Sequence, residues 1–523
     1  MQQPLLYRPV GGINSTLPAD SIGETEVADA VNFLFERQQA VTRPGYQTRV
    51  ISSIAAQAYF VWGGLPLTDV FIVVTGPGKL YKVTYPGLAV TEITPAAGAF
   101  TTFSGRMFQA AGVNGAVLIS GDAGGGMVRW VPADATYTIV TAPSYQFVSS
   151  HFSRAVAAKS LVGGTGDYTV AWSAAGDETD WASATAGSSV LSDVTGQIQG
   201  LGVIDNVVVI PTTHGFHFGY ATGVSTPAYR FEAKIRTGFG PAWDSTVCFH
   251  NNVCYYVGQH NAYTFDLQTI KPIGDPIREE LLRALTQASA LKNVTYRGFV
   301  SVEGSNTALT TGAFTAAYSH VLTGRAQYNL VPALAQGYDA TFNPNLVRPN
   351  FPHFAYNIEE GTWSKHRYDF NVVGGCWLQN HNKLFLHDST ATPLIREWDS
   401  SIWCESSAYL LSRILIPNGD PCSDFTSQRT LMRYRNSSPA VLGNPRERRV
   451  ILTVSAKLES ELLVASSEQG KDLPFSDDPD WWRTMYDIRV TGNDFQYRVD
   501  VPPNSVFALN MLGGKFAPAG QFR

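Results

Sequence analysis

Residues 69–83 read DVFIVVTGPGKLYKV. A run of β-branched and apolar residues over 70–74 is followed by Gly76-Pro77-Gly78, and then by alternating apolar and polar residues over 80–83. β-branched residues favour strands, and glycine and proline supply the backbone angles of tight turns. The stretch therefore predicts two antiparallel strands joined in a hairpin.

The same pattern of strand, turn and strand recurs along the middle of the chain at intervals of roughly 35–50 residues. This is the spacing of propeller blades. The recurrences lie at 103–130, 155–172, 206–218, 246–266, 354–363 and 376–399. A single blade cannot bury both of its faces, whereas radial repetition covers them and leaves few free edges. We predict an all-β chain with a six- or seven-bladed β-propeller. A series of β-sandwiches with a chance rhythm remains the alternative.

Changes in composition divide the chain into an N-terminal arm (1–54), the propeller (55–402) and a C-terminal β-sandwich or barrel (403–523). Within the arm, residues 28–35 are expected to form a short helical turn. Asp275-Pro276 and the acidic residues that follow predict a helix over 275–287, with Asp275 capping its N-terminus. Residues 303–350 are rich in Thr, Ala, Asn and Gly, and they are expected to form a long insertion that makes interactions.

Composition narrows the classes of function. The net charge of the 523 residues is -5, and only 15% are charged. A protein that grips nucleic acid through phosphates is normally basic, so tight DNA binding is disfavoured. The low charge content indicates extensive covered surface. The N-terminus does not resemble a secretory signal, and no run of ~18 apolar residues predicts a membrane span.

The best candidate for chemistry is the acidic stretch Asp177-Glu178-Thr179-Asp180, between Trp172 and Trp181. Paired carboxylates in one cleft are what a glycosidase requires, and several oxygens together suit calcium. An ordinary solvated turn is the simpler interpretation. We therefore assign no catalytic, cofactor-binding or metal-binding residue, and we expect no cofactor.

Other chemistry-bearing residues give weaker signals. His214 and His217 are three apart, so a regular strand would place them on opposite faces, where they cannot share a metal. The five cysteines form no CxxC pair, although Cys248 and Cys254 face each other across a predicted hairpin. Gly124-Gly125-Gly126 is not followed by GK[ST] or a helix pattern, and it is interpreted as a turn. The five cysteines are Cys248, Cys254, Cys376, Cys404 and Cys422.

A basic cluster lies in the C-terminal region. It consists of Arg433, Arg435, Arg446, Arg448 and Arg449. The alternation of residues 433 and 435 places both on one face of a strand. A solvated strand face, a contact with another subunit or another acidic protein, and a DNA contact remain open, and the absence of interleaved aromatic residues disfavours the last.

A family resemblance rests on two sets of motifs. The opening Gly11-Gly12-Ile13-Asn14, then Asn32 and Arg43-Pro44-Gly45, resembles the N-terminal arm of the tail hub or nozzle proteins of short-tailed bacteriophages. The segments around Trp172 and Trp181, Gly196 to Leu201, and PIGDPIREELL at 272–282 are similar to the propeller part of those proteins. The resemblance covers residues 8–290 and, more loosely, 350–402.

The resemblance implies a non-enzymatic virion protein. Its members form homo-oligomeric rings, here expected to be hexameric, below the portal and the head-to-tail adaptor. The ring is a channel that retains the genome and through which DNA leaves without sequence-specific binding. It also docks tail fibres or spikes, and it is assembled in the host cytoplasm. A propeller that binds or cleaves glycans and an adhesin for host surfaces remain alternative functions.

Overall fold

In the computed structural model, residues 5–281 are described apart from short gaps, and the later chain is described as separate strands and turns. The gaps in the first part are 52–53, 55–57, 65, 76–78, 97–108, 121–125, 141–143, 161–165, 192–195, 236–237, 243–246 and 251. The later described segments are 294–297, 300–302, 327–330, 333–336, 353–367, 372–378, 381, 383–388, 394–403, 408–415, 425–437, 450–457, 467–473, 482–486, 491–492, 494–503 and 506–518.

The N-terminal segment forms five strands that pair with distant parts of the chain. They are β1 (Leu5–Tyr7), β2 (Val27–Val31), β3 (Phe33–Glu36), β4 (Gln39–Thr42) and β5 (Pro44–Val50). The helical turn predicted over 28–35 is wrong, because β2 and β3 occupy it. Asn32, between those two strands, has a positive φ of 60°, and this break redirects the chain without a helix.

Five four-stranded antiparallel meanders follow, here called blades, and the last strands of the first two pair in parallel to make one eight-stranded sheet. The first blade is β6 (Ala58–Trp62), β7 (Val70–Thr75), β8 (Lys79–Thr84) and β9 (Ala89–Pro95), and the second is β10 (Ala110–Val113), β11 (Ala116–Ile119), β12 (Met127–Trp130) and β13 (Thr136–Val140). The third is β14 (Tyr145–His151), β15 (Arg154–Ser160), β16 (Thr169–Trp172) and β17 (Gly187–Val190). The fourth is β18 (Gly202–Ile204), β19 (Val207–Thr212), β20 (Gly215–Ala221) and β21 (Tyr229–Ile235), and the fifth is β22 (Cys248–His250), β23 (Val253–Val257), β24 (Ala262–Phe265) and β25 (Ile270–Pro272).

The next strands complete the described part of the propeller. They are β26 (Val294–Arg297), β27 (Val300–Val302), β28 (Gln327–Leu330), β29 (Ala333–Gln336), β30 (His353–Asn357), β31 (Thr362–His366), β32 (Val372–Leu378), β33 (Lys383–Asp388) and β34 (Leu394–Trp403). β28 and β29 lie inside the predicted insertion 303–350. β32, β33 and β34 form a closing blade whose fourth strand is β5 of the N-terminal segment.

Apolar cores lie between successive blades, as radial packing requires. Phe71 of the first blade packs with Phe385 of the closing blade, with ring centroids 5.1 Å apart. Further cores join the first blade to the second, the second to the third, and the third through the fourth to the fifth. Strands such as Val207–Thr212 are buried along almost their whole length, because each blade is covered on both faces.

The last strands build a sandwich with the N-terminal segment. They are β35 (Ala408–Ser412), β36 (Phe425–Ser437), β37 (Val450–Lys457), β38 (Ser467–Leu473), β39 (Trp482–Tyr486), β40 (Thr491–Gly492), β41 (Asp494–Val501) and β42 (Val506–Pro518). One sheet pairs β1, β3 and β4 with β36, β39, β40 and β42, and the other joins β2, β35, β41, β37 and β38 to β31. Their shared core includes Phe33, Leu410, Tyr434 and Tyr497.

These sheets confirm the predicted fold class: an all-β chain with a propeller, an N-terminal arm and a C-terminal sandwich. The number of blades stays a prediction. The predicted helix 275–287 begins with a 3₁₀ turn at Asp275–Ile277 and continues as a helix over 278–281, and 282–287 lie outside the described residues. A second 3₁₀ turn spans Gly166–Tyr168. None of the described helical segments has the length and apolarity needed to cross a bilayer.

Candidate functional site

The acidic loop (residues 174–183) connects β16 to β17 in the third blade. Asp177 accepts hydrogen bonds from the backbone N–H and the hydroxyl of Thr179, at 2.9 and 2.6 Å. Asp180 accepts from the backbone N–H groups of Ala182 and Ser183. The Ser183 hydroxyl also bonds Asp180, and together these bonds stabilise the ionised carboxylates and hold the pKa of each aspartate below its usual range.

The third carboxylate of the loop, Glu178, has a different environment. It is 4% exposed, and it accepts from Arg129 Nε of β12 at 2.7 Å and from Asn114 Nδ2 at 3.1 Å. Both donors belong to the second blade, whereas Glu178 belongs to the third. The indole of Trp181 donates to the carbonyl oxygen of Glu178 and stacks on Tyr145. Glu178 is therefore a link between blades.

This geometry disfavours acid catalysis at the loop. A glycosidase acid must hold its proton near neutral pH, which requires a raised pKa. The pKa values of Asp177 and Asp180 are lowered instead, and the carboxylate of Glu178 is occupied by a guanidinium. Among the described residues, no group of three or more His, Cys, Asp or Glu side chains is arranged to hold a metal ion. The structure supports the simpler interpretation of the loop, as a turn.

The histidines lie at separate places. His214 is in the turn between β19 and β20, and His217 lies in β20 with 2% exposure. His151 is also buried, and its two ring nitrogens lie 2.8 Å from the Tyr229 hydroxyl and 2.9 Å from the carbonyl oxygen of Asn206. Burial lowers the pKa of His151. His217 and His151 are therefore interior groups of the propeller.

The glycine pair of the arm motif lies against β31. Gly12 has a φ of +82°, and a Cβ atom there would lie 2.9 Å from Cβ of Thr362 and from the backbone nitrogen of Trp363. The close approach lets the Ile13 N–H donate to the Trp363 carbonyl oxygen at 3.0 Å. Only glycine combines this backbone angle with this lack of space. The motif thus fixes the arm to the propeller.

The asparagine and the arginine of the motif form a buried hydrogen-bond network. Arg43 is fully buried, and its Nε donates to Asn32 Oδ1 at 3.0 Å while Nη2 donates to the carbonyl oxygen of Arg367 at 2.6 Å. The backbone N–H of Arg367 donates to the same Asn32 oxygen at 2.7 Å. A buried guanidinium is tolerated only when its donors are satisfied. This network holds the chain in place at the residue that precedes β5, the fourth strand of the closing blade.

A buried cation completes the arm junction, the contact region of Gly12, Asn32, Arg43 and Lys365. Lys365 of β31 is 4% exposed, and its Nζ lies 2.7 Å from carboxylate oxygens of both Asp29 and Glu280. The hydroxyl of Tyr409 donates to the second oxygen of Asp29 at 2.6 Å. Asp29 is in β2, Glu280 follows the fifth blade, and Tyr409 is in β35. One ammonium therefore connects the arm, the propeller and the sandwich.

The helix at 275–281 contributes its apolar side to the same region. Ile277 and Leu281 are buried with Trp363, whose indole donates to the carbonyl oxygen of Ile273 at 2.6 Å. The predicted cap is wrong: Gly274 is the N-cap, without a side-chain hydrogen bond. The Asp275 carboxylate instead accepts from Asn261 Nδ2 at 2.6 Å. Asp275 is the first residue of the turn rather than the residue before it, which is the position from which a side chain bonds the free backbone amides.

The structure describes only some residues of the cysteine set, the basic cluster and the glycine turn. Cys248 and Cys254 are buried, and their strands pair them with Tyr255 and Phe249 rather than with each other. Burial raises the pKa of the Cys254 thiol. Most of the basic cluster lies outside the described residues, which include the Arg433 side chain but not 446, 448 or 449. Two glycines of the predicted 124–126 turn also lie outside them.

Comparisons with known proteins give fold likeness alone. No family model and no curated protein matches the chain. Similar solved structures include YCF48 bound to D1 peptide (TM-score 0.36, 10% identity, 68% of this chain and 95% of that chain) and the computationally designed Ika8 protein (0.36, 9%, 66% and 97%). The WD40 domain of Neurospora crassa Pan2 is a third (0.36, 9%, 70% and 97%). The propeller assignment therefore rests on the sheets and interblade cores of the chain itself.

Proposed function

We propose that this chain is a structural subunit of the tail of a short-tailed phage, a hub or nozzle protein rather than an enzyme. The observation that carries the proposal is the arm junction. Gly12, Asn32 and Arg43, which carry the resemblance to tail hub proteins, are the residues that fix the arm to the propeller. These residues hold parts of the fold together, which suits a structural subunit.

The polar groups of the described residues support a scaffold. Glu178 links two blades, and Lys365 connects the arm, the propeller and the sandwich. Buried polar groups with satisfied partners rigidify a fold and make its geometry unique. A subunit that keeps a channel open during passage of DNA requires this rigidity. The net charge of -5 is compatible with a channel that does not retain DNA.

In this proposal the subunit forms a ring of six copies below the portal and the head-to-tail adaptor, and it docks fibres or spikes. The low charged fraction, 15% of residues, suits large subunit contacts, because interface cores are depleted of charge. Both alternatives remain distinguishable by experiment. A glycan-active protein would act on a glycan panel, and an adhesin would bind host cells saturably as an isolated chain.

The test is the oligomeric state of the full-length chain. We expect native mass spectrometry to detect hexamers and negative-stain electron microscopy to show rings with a central channel. The double variant Asn32→Ala/Arg43→Ala should lower ring yield by disrupting the arm junction. A chain that stays monomeric up to tens of micromolar, both alone and in purified particles, would contradict the proposal.

A further inference from the structure

The two-residue turns that join the first and second strands of adjacent blades lie side by side. Asn114 Nδ2 donates to the Ser153 carbonyl oxygen at 3.2 Å, which joins the second blade to the third. His151 Nε2 lies 2.9 Å from the Asn206 carbonyl oxygen, and Asn252 Nδ2 donates to the Asp205 carboxylate. These bonds continue the row to the fourth and fifth blades. This row of turns at one end of the propeller is here called the turn rim, and it consists of 114–115, 152–153, 205–206 and Asn252.

Phe152 stands out on the turn rim. It and Ser153 form the turn between β14 and β15, with φ values of 46° and 58°. The corresponding turns carry Asn114-Gly115 and Asp205-Asn206, the residue types that tolerate left-handed backbone. A bulky residue in that conformation is an outlier, and its side chain is also 58% exposed. Strain kept at an exposed aromatic residue points to a role outside the fold.

The end turns near Phe152 carry carboxylates but no basic residue, and the nearest basic side chain, that of Arg154, lies on the strand that follows. Because each blade is an antiparallel meander, the loop between its third and fourth strands reaches the same end as its first turn. The end turns of the five blades carry no lysine or arginine. In the described residues they are 63–64, 66–69, 85–88, 114–115, 131–135, 152–153, 173–186, 205–206, 222–228, 252 and 266–269. Their charged residues are Asp69, Asp134, Asp177, Glu178, Asp180, Asp205 and Asp266.

Two of these carboxylates flank Phe152. The Gly176 N–H donates to the Ser153 carbonyl oxygen at 2.8 Å, which places the exposed Asp177 on one side. The contact of His151 with Asn206 places the exposed Asp205 on the other side. Arg154, the next residue after the turn, donates from Nη1 to the carbonyl oxygens of Ser173 and Thr185. These bonds hold its guanidinium against the loop, where it keeps its positive charge while Asp177 and Asp205 remain exposed.

We propose that the turn rim is a docking surface for an arginine-bearing segment of a partner protein, with Phe152 as its anchor. A guanidinium stacks on an aromatic face while its edge donates to carboxylates, a combination that an ammonium reproduces poorly. Phe152 supplies the face, and Asp177 and Asp205 supply the acceptors. The inference goes beyond the proposed tail function and holds for any role of the propeller.

The test uses the full chain and fluorescein-labelled (Gly-Arg)6 and (Gly-Lys)6 peptides, with binding measured by anisotropy at two salt concentrations. Phe152→Asn should weaken binding of (Gly-Arg)6 by about fivefold, the equivalent of one stacked cation, and that of (Gly-Lys)6 by less than about twofold. Asp177→Asn/Asp205→Asn should weaken both peptides. Phe239→Asn is the matched control, because Phe239 is 46% exposed and lies outside the rim turns.

Each outcome decides the proposal. Wild-type chain that binds neither peptide, or Phe152→Asn that binds (Gly-Arg)6 as tightly as wild type, overturns it. An equal loss with Phe239→Asn also overturns it, because the attraction would then be diffuse. Circular dichroism establishes that each variant is folded. Rings without peptide binding would leave the tail proposal standing, and peptide binding without rings would leave this one standing.

Discussion

At the scale of single residues, Glu178 differs from the aspartates on either side of it because its carboxylate is buried and paired. The side chain of Arg129 is 27% exposed and that of Glu178 is 6% exposed, so water screens their attraction only in part. Asp177, by contrast, bonds only within its own turn. The three acidic residues of the loop thus have two different roles.

Glu178→Gln should destabilise the fold by about 1–2 kcal/mol, because Arg129 loses a charge-assisted acceptor in a partly desolvated site. Urea unfolding followed by tryptophan fluorescence measures the difference. Asp177→Asn is the control: asparagine retains the turn acceptor, so its midpoint should stay close to wild type. Equal midpoints for Glu178→Gln and wild type would show that the link between blades contributes nothing.

Phe152 allows a prediction with the opposite sign. Phe152→Asn should stabilise the fold by about 1 kcal/mol, because asparagine adopts left-handed backbone at lower cost. Differential scanning calorimetry should show a raised midpoint. If the midpoint falls instead, contact of the Phe152 ring with His151, 4.2 Å between centroids, stabilises the turn and the strain argument fails.

The residue scale is where sequence reasoning is weakest. The acidic stretch was recognisable, but nothing local marks Glu178 as the buried member, since its partner Arg129 lies 49 residues earlier. The cap assigned to Asp275 followed a sound local rule, but the turn starts one residue earlier than the rule assumed. Partners distant in sequence decide which member of a cluster is buried.

At the scale of elements, the arm junction combines pieces that are far apart in the chain. Lys365 and Asp29 are 336 residues apart, and Glu280 is 85 residues from Lys365. The hairpin at 69–83 was predictable because both strands and the turn lie within fifteen residues. The pairing of β2 with β35 was not predictable, because no periodicity within 27–31 identifies its partner.

Lys365→Met should destabilise the chain by about 2–3 kcal/mol, because two carboxylates near each other lose their shared cation. Both carboxylates are more than a quarter exposed, which keeps the loss below that of a fully buried pair. Adding Asp29→Asn and Glu280→Gln should recover most of the lost stability. Thermal unfolding measures both steps.

Lys79→Met is the control for that series, because the Lys79–Glu92 pair is about half exposed. An exposed pair of this kind contributes little to the free energy of unfolding. The unfolding midpoint of Lys79→Met should therefore differ only slightly from that of wild type. A triple variant no more stable than Lys365→Met alone would mean that the methionine packs badly, and the electrostatic account would be wrong.

At the scale of the whole molecule, the propeller was the most predictable feature, since each blade has its own local strand and turn signals. Core tyrosines are a second feature of that scale. Burial raises the pKa of Tyr145 and of Tyr229 to about 12, and it raises the pKa of Tyr255 and Tyr497 further. Above pH 10 the unfolded chain releases these protons while the folded chain keeps them, so stability falls as pH rises.

Alkaline titration should therefore show unfolding coupled to tyrosine ionisation, beginning above about pH 10. Absorbance at 295 nm reports tyrosinate and far-ultraviolet circular dichroism reports the strands. Of the 23 tyrosines, the buried ones with a raised pKa should ionise together with the loss of the strand signal. A single titration near pH 10 with unchanged strands would contradict the burial of these side chains.

The pairing of β5 with β34 has a consequence for biosynthesis. β5 leaves the ribosome long before β34, because the residues it pairs with are encoded about 350 positions later. At the usual ~5–20 residues per second, translation takes roughly 20–70 s to supply that strand. During this interval the nascent chain carries an unpaired edge at its leading end, and a neighbouring nascent chain on the same messenger offers the same sequence. A chaperone that covers this edge during translation should therefore raise the soluble yield.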